Sequence, residues 1–440
     1  MTPPRPQNNQ SPFNRKAQHD AKRIAILSEA ARLFNGKGSR ATTLQDVARG
    51  LGLTKTSLYY YVRTKEELIF QCYELALQRQ HSVMDSVDAA DLGPLDRAGA
   101  FFKSQFEGWL NAQEGTDTHV AALLEIASLK PEHRDAIESE YVRMFKRLRG
   151  YLIDAKNIGE VRQSCEPTSA TRAIIGATDW VFHWLHQVER DSVLSTAETA
   201  WEILAHGLYS GLDDYHPGVL QLSANIERPV QGFDREEQHR QKQEAFYKTG
   251  TWFFNKKGFN GASLDEIAQH LNVSKGAFYY HIRNKEDLLH ACYERSIAIT
   301  ERIHHTADLA EATGLEKLDE TARRVFHAQN TEVGPLIRFN TITALPTPRR
   351  KAILSASDKA NSRFDSFICE GMADGSIRDV DPFLARSLIT GAINASMDIA
   401  LWRRVDDLDR AAIDYFDVFY NGLVPRAAAA TPPTNKETPS

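Results

Sequence analysis

Residues 34–74, FNGKGSRATTLQDVARGLGLTKTSLYYYVRTKEELIFQCYE, recur at 254–294 as FNKKGFNGASLDEIAQHLNVSKGAFYYHIRNKEDLLHACYE. The stretches align without a gap at an offset of 220, with 17 of 41 positions identical. Identity at that level and at one fixed spacing marks a duplicated structural unit. The pattern limits the chain to two copies of one architecture, each long enough to bury its own core.

Each copy reads as a helix-turn-helix followed by a further helix. In the first, Ile24, Leu27, Ala30, Ala31 and Phe34 recur at helical spacing, and Gly36 and Gly38 end that helix. Thr42 or Thr43 caps the next helix, whose inward face is Leu44, Val47 and Ala48. Leu51-Gly52-Leu53 is the tight turn, and Thr54 or Thr56 caps a short helix carrying Lys55, Ser57, Leu58 and Tyr59 to Tyr61. A longer helix opens at Lys65 with Glu66 and Glu67 in its first turn, where the helix dipole favours acids.

Reading DNA takes a helix that fits the major groove, side chains that reach base edges, and donors that grip phosphate. Lys55, Thr56, Ser57 and Tyr59 lie at the start of the short helix; Lys275, Gly276, Ala277 and Tyr279 are their counterparts. The phosphate grips expected are Thr43, Tyr61 and Lys65, and Ser263, His281 and Lys285. Tyr60 and Tyr280 are expected to pack into the small three-helix core. Net charge is −5, so the argument rests on local charge. Between Asn14 and Gln80 basic residues outnumber acidic ones 12 to 6, whereas between Arg235 and Arg295 the balance is 10 to 8. The first copy therefore holds the stronger basic patch.

The rest of the chain predicts an all-α protein. Phe101, Phe102, Phe106, Trp109 and Leu110 mark one amphipathic helix, Val120 to Leu129 a second, and Pro131 opens a third. Ala170 to Gln187 is strongly apolar and Ala197 to Leu212 closes the unit. Gly159-Glu160-Val161-Arg162 is matched by Gly375-Ser376-Ile377-Arg378, each followed by a proline and an apolar helix with Gly-Ala at Gly176-Ala177 and Gly391-Ala392. The expected division is a disordered arm (1–18), a first DNA-binding domain (19–66), a helical regulatory body (67–213), a linker (214–234), a second DNA-binding domain (235–286), a second body (287–424) and a disordered tail (425–440).

SLYYYVRTKEEL and AFYYHIRNKEDL, each preceded by a stretch of the LGLT kind, resemble the N-terminal domain of TetR-type transcriptional regulators. That resemblance covers nearly the whole ordered chain and is specific in the DNA-binding domains. It implies three helices for DNA and about six more for ligand binding and dimerisation, and a repressor that leaves its operator when a small molecule binds. The family's frequent histidine is Tyr61 in the first copy and His281 in the second. Family members usually carry one unit and pair through their last two long helices. The fusion therefore implies that Ala170–Gln187 with Ala197–Leu212 packs against Pro382–Trp402 with Arg410–Leu423 in an intramolecular pseudo-dimer, a homodimer of chains being the alternative. A linker of about 20 residues spans at most roughly 65–70 Å, enough to reach the next unit.

For the effector, Phe106, Trp109, Arg134, Tyr141, Phe145, Trp180 and Trp184 are the expected pocket residues. The first body is similar to a TetR-type branch tied to lipid, steroid and acyl-CoA catabolism, which implies an acyl-CoA ligand. Its phosphates would meet the basic residues around Pro131 (Lys130, His133, Arg134) and around Pro348 (Arg349, Arg350). Asp179, His183 and His186 share a helical face, and hydrogen bonding across the dimer-like interface is expected there rather than metal. The four cysteines form no CxxC pair, no cofactor motif stands out, and no apolar run approaches a membrane span, so a cytoplasmic protein is expected. A helical enzyme would need a catalytic constellation that is not evident. A non-specific architectural DNA protein would be strongly basic, and this chain is acidic overall.

Overall fold

A computed structural model describes residues 12–39, 41–123, 126, 129–220, 235–331, 334–397 and 405–426. Among these there are sixteen α-helices and no strand. In the first unit they are α1 (Pro12–Lys37), α2 (Leu44–Gly50), α3 (Lys55–Tyr59), α4 (Lys65–Ala89), α5 (Pro94–Glu114), α6 (Pro131–Asn157), α7 (Pro167–Trp184) and α8 (Val193–His206). The second unit repeats them as α9 (Arg235–Gly261, interrupted by left-handed Gly258), α10 (Leu264–His270), α11 (Lys275–His281), α12 (Lys285–Asp308), α13 (Gly314–Asn330), α14 (Thr347–Asp374), α15 (Pro382–Ala395) and α16 (Leu408–Tyr420).

Local chemistry explains the helix ends. Thr43 caps α2 through a reciprocal pair with Asp46, while Thr42 turns inward to donate to the Gly38 carbonyl. Thr54 caps α3 and Thr64 caps α4; Ser274 and Asn284 do the same in the second unit. The turn between α2 and α3 needs a positive φ, supplied by Gly52 in one copy and by Asn272, at 54°, in the other. Two expectations are corrected. Helix α1 already begins at Pro12, inside the arm expected to be disordered through residue 18, since proline suits a first helical position and no breaker follows before Gly36. The tail beyond residue 426 and most of the linker lie outside the described residues.

The second correction concerns Val120 to Leu129, expected as a helix. Residues 118–123 are irregular, because Asn35 takes up the backbone groups a helix would use: its amide donates to the Val120 carbonyl (2.8 Å) and accepts from the Ala122 N–H (2.9 Å). Asn255 holds Leu336 and Arg338 identically in the second unit. The side chain thus ties α1 and α9 to their own bodies.

The units meet along α7, α8, α15 and α16, which form one four-helix bundle within the chain. Gly176 and Gly391 face each other at its centre. A Cβ on Gly391 would sit 2.6 Å from Trp180 Cβ and 2.8 Å from the Gly176 carbonyl oxygen, so only glycine lets these backbones approach. Where the bundle ends, the two units hook into one another. The Arg162 N–H donates to the Leu423 carbonyl (2.8 Å) and the Arg378 N–H to the Leu208 carbonyl (2.9 Å). Their guanidinium groups reach the Gly422 and Gly207 carbonyls, and buried Arg162 also pairs with Asp417 (2.5 Å) and Asp214 (3.0 Å). Each unit thereby caps the last bundle helix of the other.

Candidate DNA-reading faces and effector cavity

Helices α3 and α11 each have a single inward position, the fourth, filled by Leu58 and Phe278, both fully buried. A helix of so few residues has no second inward position for an adjacent tyrosine. Tyr60 and Tyr280, expected in the core, are accordingly 76% and 84% exposed. They join the outward set: Lys55, Thr56, Ser57 and Tyr59 on one face, and Lys275, Gly276, Ala277 and Tyr279 on the other, all exposed. His19 of α1 stacks on Tyr61 (4.9 Å between centroids), and His239 of α9 lies equally close to His281. Burial and the neighbouring His239 and Lys242 lower the His281 imidazole from its ordinary value, which favours its neutral form.

The two faces differ in charge. Lys55 lies over the Tyr59 ring, 5.6 Å from its centroid. Lys275 instead pairs with Asp265 at 2.7 Å, and Asp265 also accepts from the Tyr279 hydroxyl at 3.3 Å. The first copy has Gln45 where the second has Asp265. Among the phosphate candidates, Thr43 is exposed and Ser263 half-buried at the starts of α2 and α10, and Lys65 is half-buried. Lys285 donates to the Phe259 (2.8 Å) and Ala262 (2.7 Å) carbonyls at the end of α9, and so is committed inward.

A cavity of about 800 Å³ lies between the units. Its walls come from α12, α13, α14 and α15 of the second unit, with α1, α5 and the end of α7 from the first. Trp109, Phe339, Phe364 and Ile393 give it apolar surface, and Arg32, Arg350 and Lys351 add positive charge. Among the described residues three lining polar atoms lack a hydrogen-bond partner, His183 Nε2, Trp184 Nε1 and Thr390 Oγ1, whereas Arg386 pairs with Asp365 at 2.9 Å. Unsatisfied groups in a hollow of this kind call for a ligand that carries hydrogen-bonding groups.

Of the expected pocket residues, Trp109, Trp180 and Trp184 line this cavity. Phe106 is buried behind Trp184, Phe145 is buried in the first body, and Arg134 sits in the first turn of α6. The Tyr141 hydroxyl donates to Asp179 (3.2 Å) and accepts from Arg172 (3.0 Å). Desolvation by the surrounding protein pushes the Asp179 carboxyl up to about 6, against the pull of Arg172, although the side chain keeps solvent-accessible surface. Asp179 thus bonds within its own unit, while His183 packs against Phe339 of the other, so the expected hydrogen bonding across the interface is not what these residues do. The basic residues in the first turns of α6 and α14 mostly serve another purpose: His133 meets Glu66 at 2.8 Å and Arg349 meets Asp287 at 2.5 Å, joining each body to the helix that follows its reading element. Arg350 lines the cavity and donates to the Lys37 carbonyl.

Comparison with known proteins agrees with this layout. A family model described as bacterial regulatory proteins, tetR family, matches residues 26–72 and 250–292. One for the tetracyclin repressor-like C-terminal domain matches 110–208 and 311–402. The transposon Tn10 TetC protein of Escherichia coli is 32% identical over 136 residues, which are 28% of this chain and 69% of that protein. The transcriptional repressor KstR2 of Mycobacterium tuberculosis is 33% identical over 94 residues, 20% of this chain and 45% of that one. Among solved structures, KstR2 of Mycobacterium tuberculosis covers 41% of this chain and 92% of its own at 21% identity and a TM-score of 0.36. AibR in complex with isovaleryl coenzyme A and operator DNA covers 39% and 94% at 23% identity and a TM-score of 0.34. With both models matched twice and in order, the chain belongs to the TetR family of DNA-binding transcriptional regulators, as two complete units in tandem.

Proposed function

We propose that this chain is a cytoplasmic repressor whose two unlike reading faces hold an asymmetric operator, and which a small acyl-CoA-type effector releases. The observation that carries the reading is the intramolecular bundle, which yokes two helix-turn-helix units into one particle. One chain then does what two copies do in a homodimer, and its half-sites lie about one helical turn apart or slightly more. The matched bodies and the cavity between them fit a regulator, and neither an enzyme nor an architectural protein needs them.

The effector assignment rests on the cavity. Apolar walls suit an acyl chain, the unpartnered polar atoms suit a thioester and amide-bearing arm, and Arg32, Arg350 and Lys351 suit phosphates. Light scattering should give the mass of one chain, and footprinting on the promoter of a neighbouring operon should show two half-sites of different sequence. Isovaleryl and longer coenzyme A esters should weaken the complex at fixed salt. A stable dimer with four reading units, or a palindrome whose halves contribute equally, would overturn the pseudo-dimer; indifference to every ester would remove the effector class.

A further inference from the structure

The end of α1 is held by both units. Asn35 ties it to its own body through Val120 and Ala122. From the second unit, Arg350 of α14 donates to the Lys37 carbonyl at 3.2 Å. Lys37 is the last residue of α1, where carbonyls have no partner within the helix and the dipole favours a cation. Beside it, left-handed Gly38 (φ 84°) packs against Thr343 so closely that a Cβ on Gly38 would overlap the Thr343 side chain. Glycine is required there twice, by its φ and by the approach of the other unit.

Lys37 and Gly38 are also the joint between α1 and the reading element. The Lys37 ammonium pairs with Asp46 of α2 at 3.1 Å, and Asp46 completes the Thr43 cap. The Gly38 carbonyl accepts from the Thr42 hydroxyl at 2.8 Å. Whatever holds this joint therefore sets where α2 begins, and with it the direction in which α3 faces DNA. The cavity between the units opens on the same joint: Arg32, Phe34 and Asn35 line it from α1, and Ile342, Thr343 and Arg350 from the second body. At the offset of 216 that aligns the two asparagine latches, Arg350 corresponds to Arg134. Among the described residues Arg134 makes no bond to Lys257, the counterpart of Lys37, so this tie is a property of one side.

We propose that Arg350 and Thr343 of the second unit are positioning residues for the first unit's reading domain, and that a ligand in the cavity acts on the half-site read by α3 by displacing that hold. The ligand seats between α1 and the second body, so the unit that supplies most of the cavity is not the unit whose DNA contact is broken. For the ligand, though not for the positioning, this rests on the effector reading above.

The test uses the full chain and two operators, each with one half-site scrambled; the half-site read by α3 is the one that Lys55→Ala weakens. Arg350→Ala should lower affinity for that half-site roughly tenfold, the scale of one hydrogen bond from a charged donor, and leave the other within about twofold. Retained binding to the half-site of α11 shows that the variant is folded, and Arg350→Lys should recover most of the loss. Arg134→Ala, the matched change in the first body, should move neither affinity. Equal losses at both half-sites, no loss at either, or the same loss from Arg134→Ala would overturn the positioning. With isovaleryl coenzyme A, the half-site of α3 should be released at a lower concentration than that of α11, and Arg350→Ala should shrink the difference. Release of both together, or of the α11 half-site first, would overturn the coupling. If no coenzyme A ester alters either affinity, the effector class fails and the coupling with it, while Arg350→Ala measured without ligand decides the positioning.

Discussion

Lys55 and Lys275 hold the same register position and face different partners. Asp265 neutralises the second lysine, raising the Lys275 ammonium and lowering its own carboxyl from their ordinary values through a direct hydrogen bond. Lys55 has only the Tyr59 ring beside it among the pairings described. Lys55→Ala should therefore weaken operator binding roughly tenfold and reduce the salt dependence by about one ion, with a much smaller effect from Lys275→Ala. Asp265→Asn should tighten binding, and gel-shift titrations over a salt series would decide; equal losses for the two lysines would contradict the account. His304 yields a stability prediction. Burial against the Phe364 and Phe367 rings holds its imidazole down to about 4, below an unfolded value near 6.5. A base depressed in this way contributes stability that is complete above pH 6.5 and drains away as pH falls toward 4. The melting temperature of His304→Leu should thus fall less steeply than that of the unaltered chain across that window. Parallel curves would rule this out.

At the scale of elements, what a helix end or turn needs from its own few residues was legible in the sequence. Thr43, Thr54 and Gly38 act through neighbours three or four positions away, and the repeat doubled the signal. Tyr60 and Tyr280 were misjudged because a run of aromatics suggests a core, whereas so short a helix has one inward position. The Val120 segment was misjudged because its hydrogen bonds come from Asn35, 85 residues earlier. The cavity could not be foreseen from either body alone, since its walls come from both units. Close approach at Gly176 and Gly391 makes the bundle intolerant of bulk: Gly391→Val should cost about 1–3 kcal/mol by overpacking, read as a lowered denaturant midpoint. Arg162→Ala should cost more, about 3–5 kcal/mol, because it strands the buried side of Asp417 and uncaps α16. A surface-like effect below 1 kcal/mol would show the hook to be incidental.

For the whole molecule, the bundle and the crossed arginines hold the halves together independently of the peptide that joins them. Protease cleavage within residues 221–234 should leave a nicked particle that runs as one species in gel filtration and still binds its operator. Separation into two halves would show that the interface alone is too weak.

The hooks of Arg162 and Arg378 carry a consequence for how such a chain changes over generations. In a homodimer every substitution appears twice, so an altered contact across the dyad is altered on both sides at once. Here each side of the dyad is spelled by its own codons, and a substitution is tried on one side while the other keeps the assembly intact. Asp265 beside Lys275, where the other half has Gln45, is a difference that only a chain of this kind can inherit.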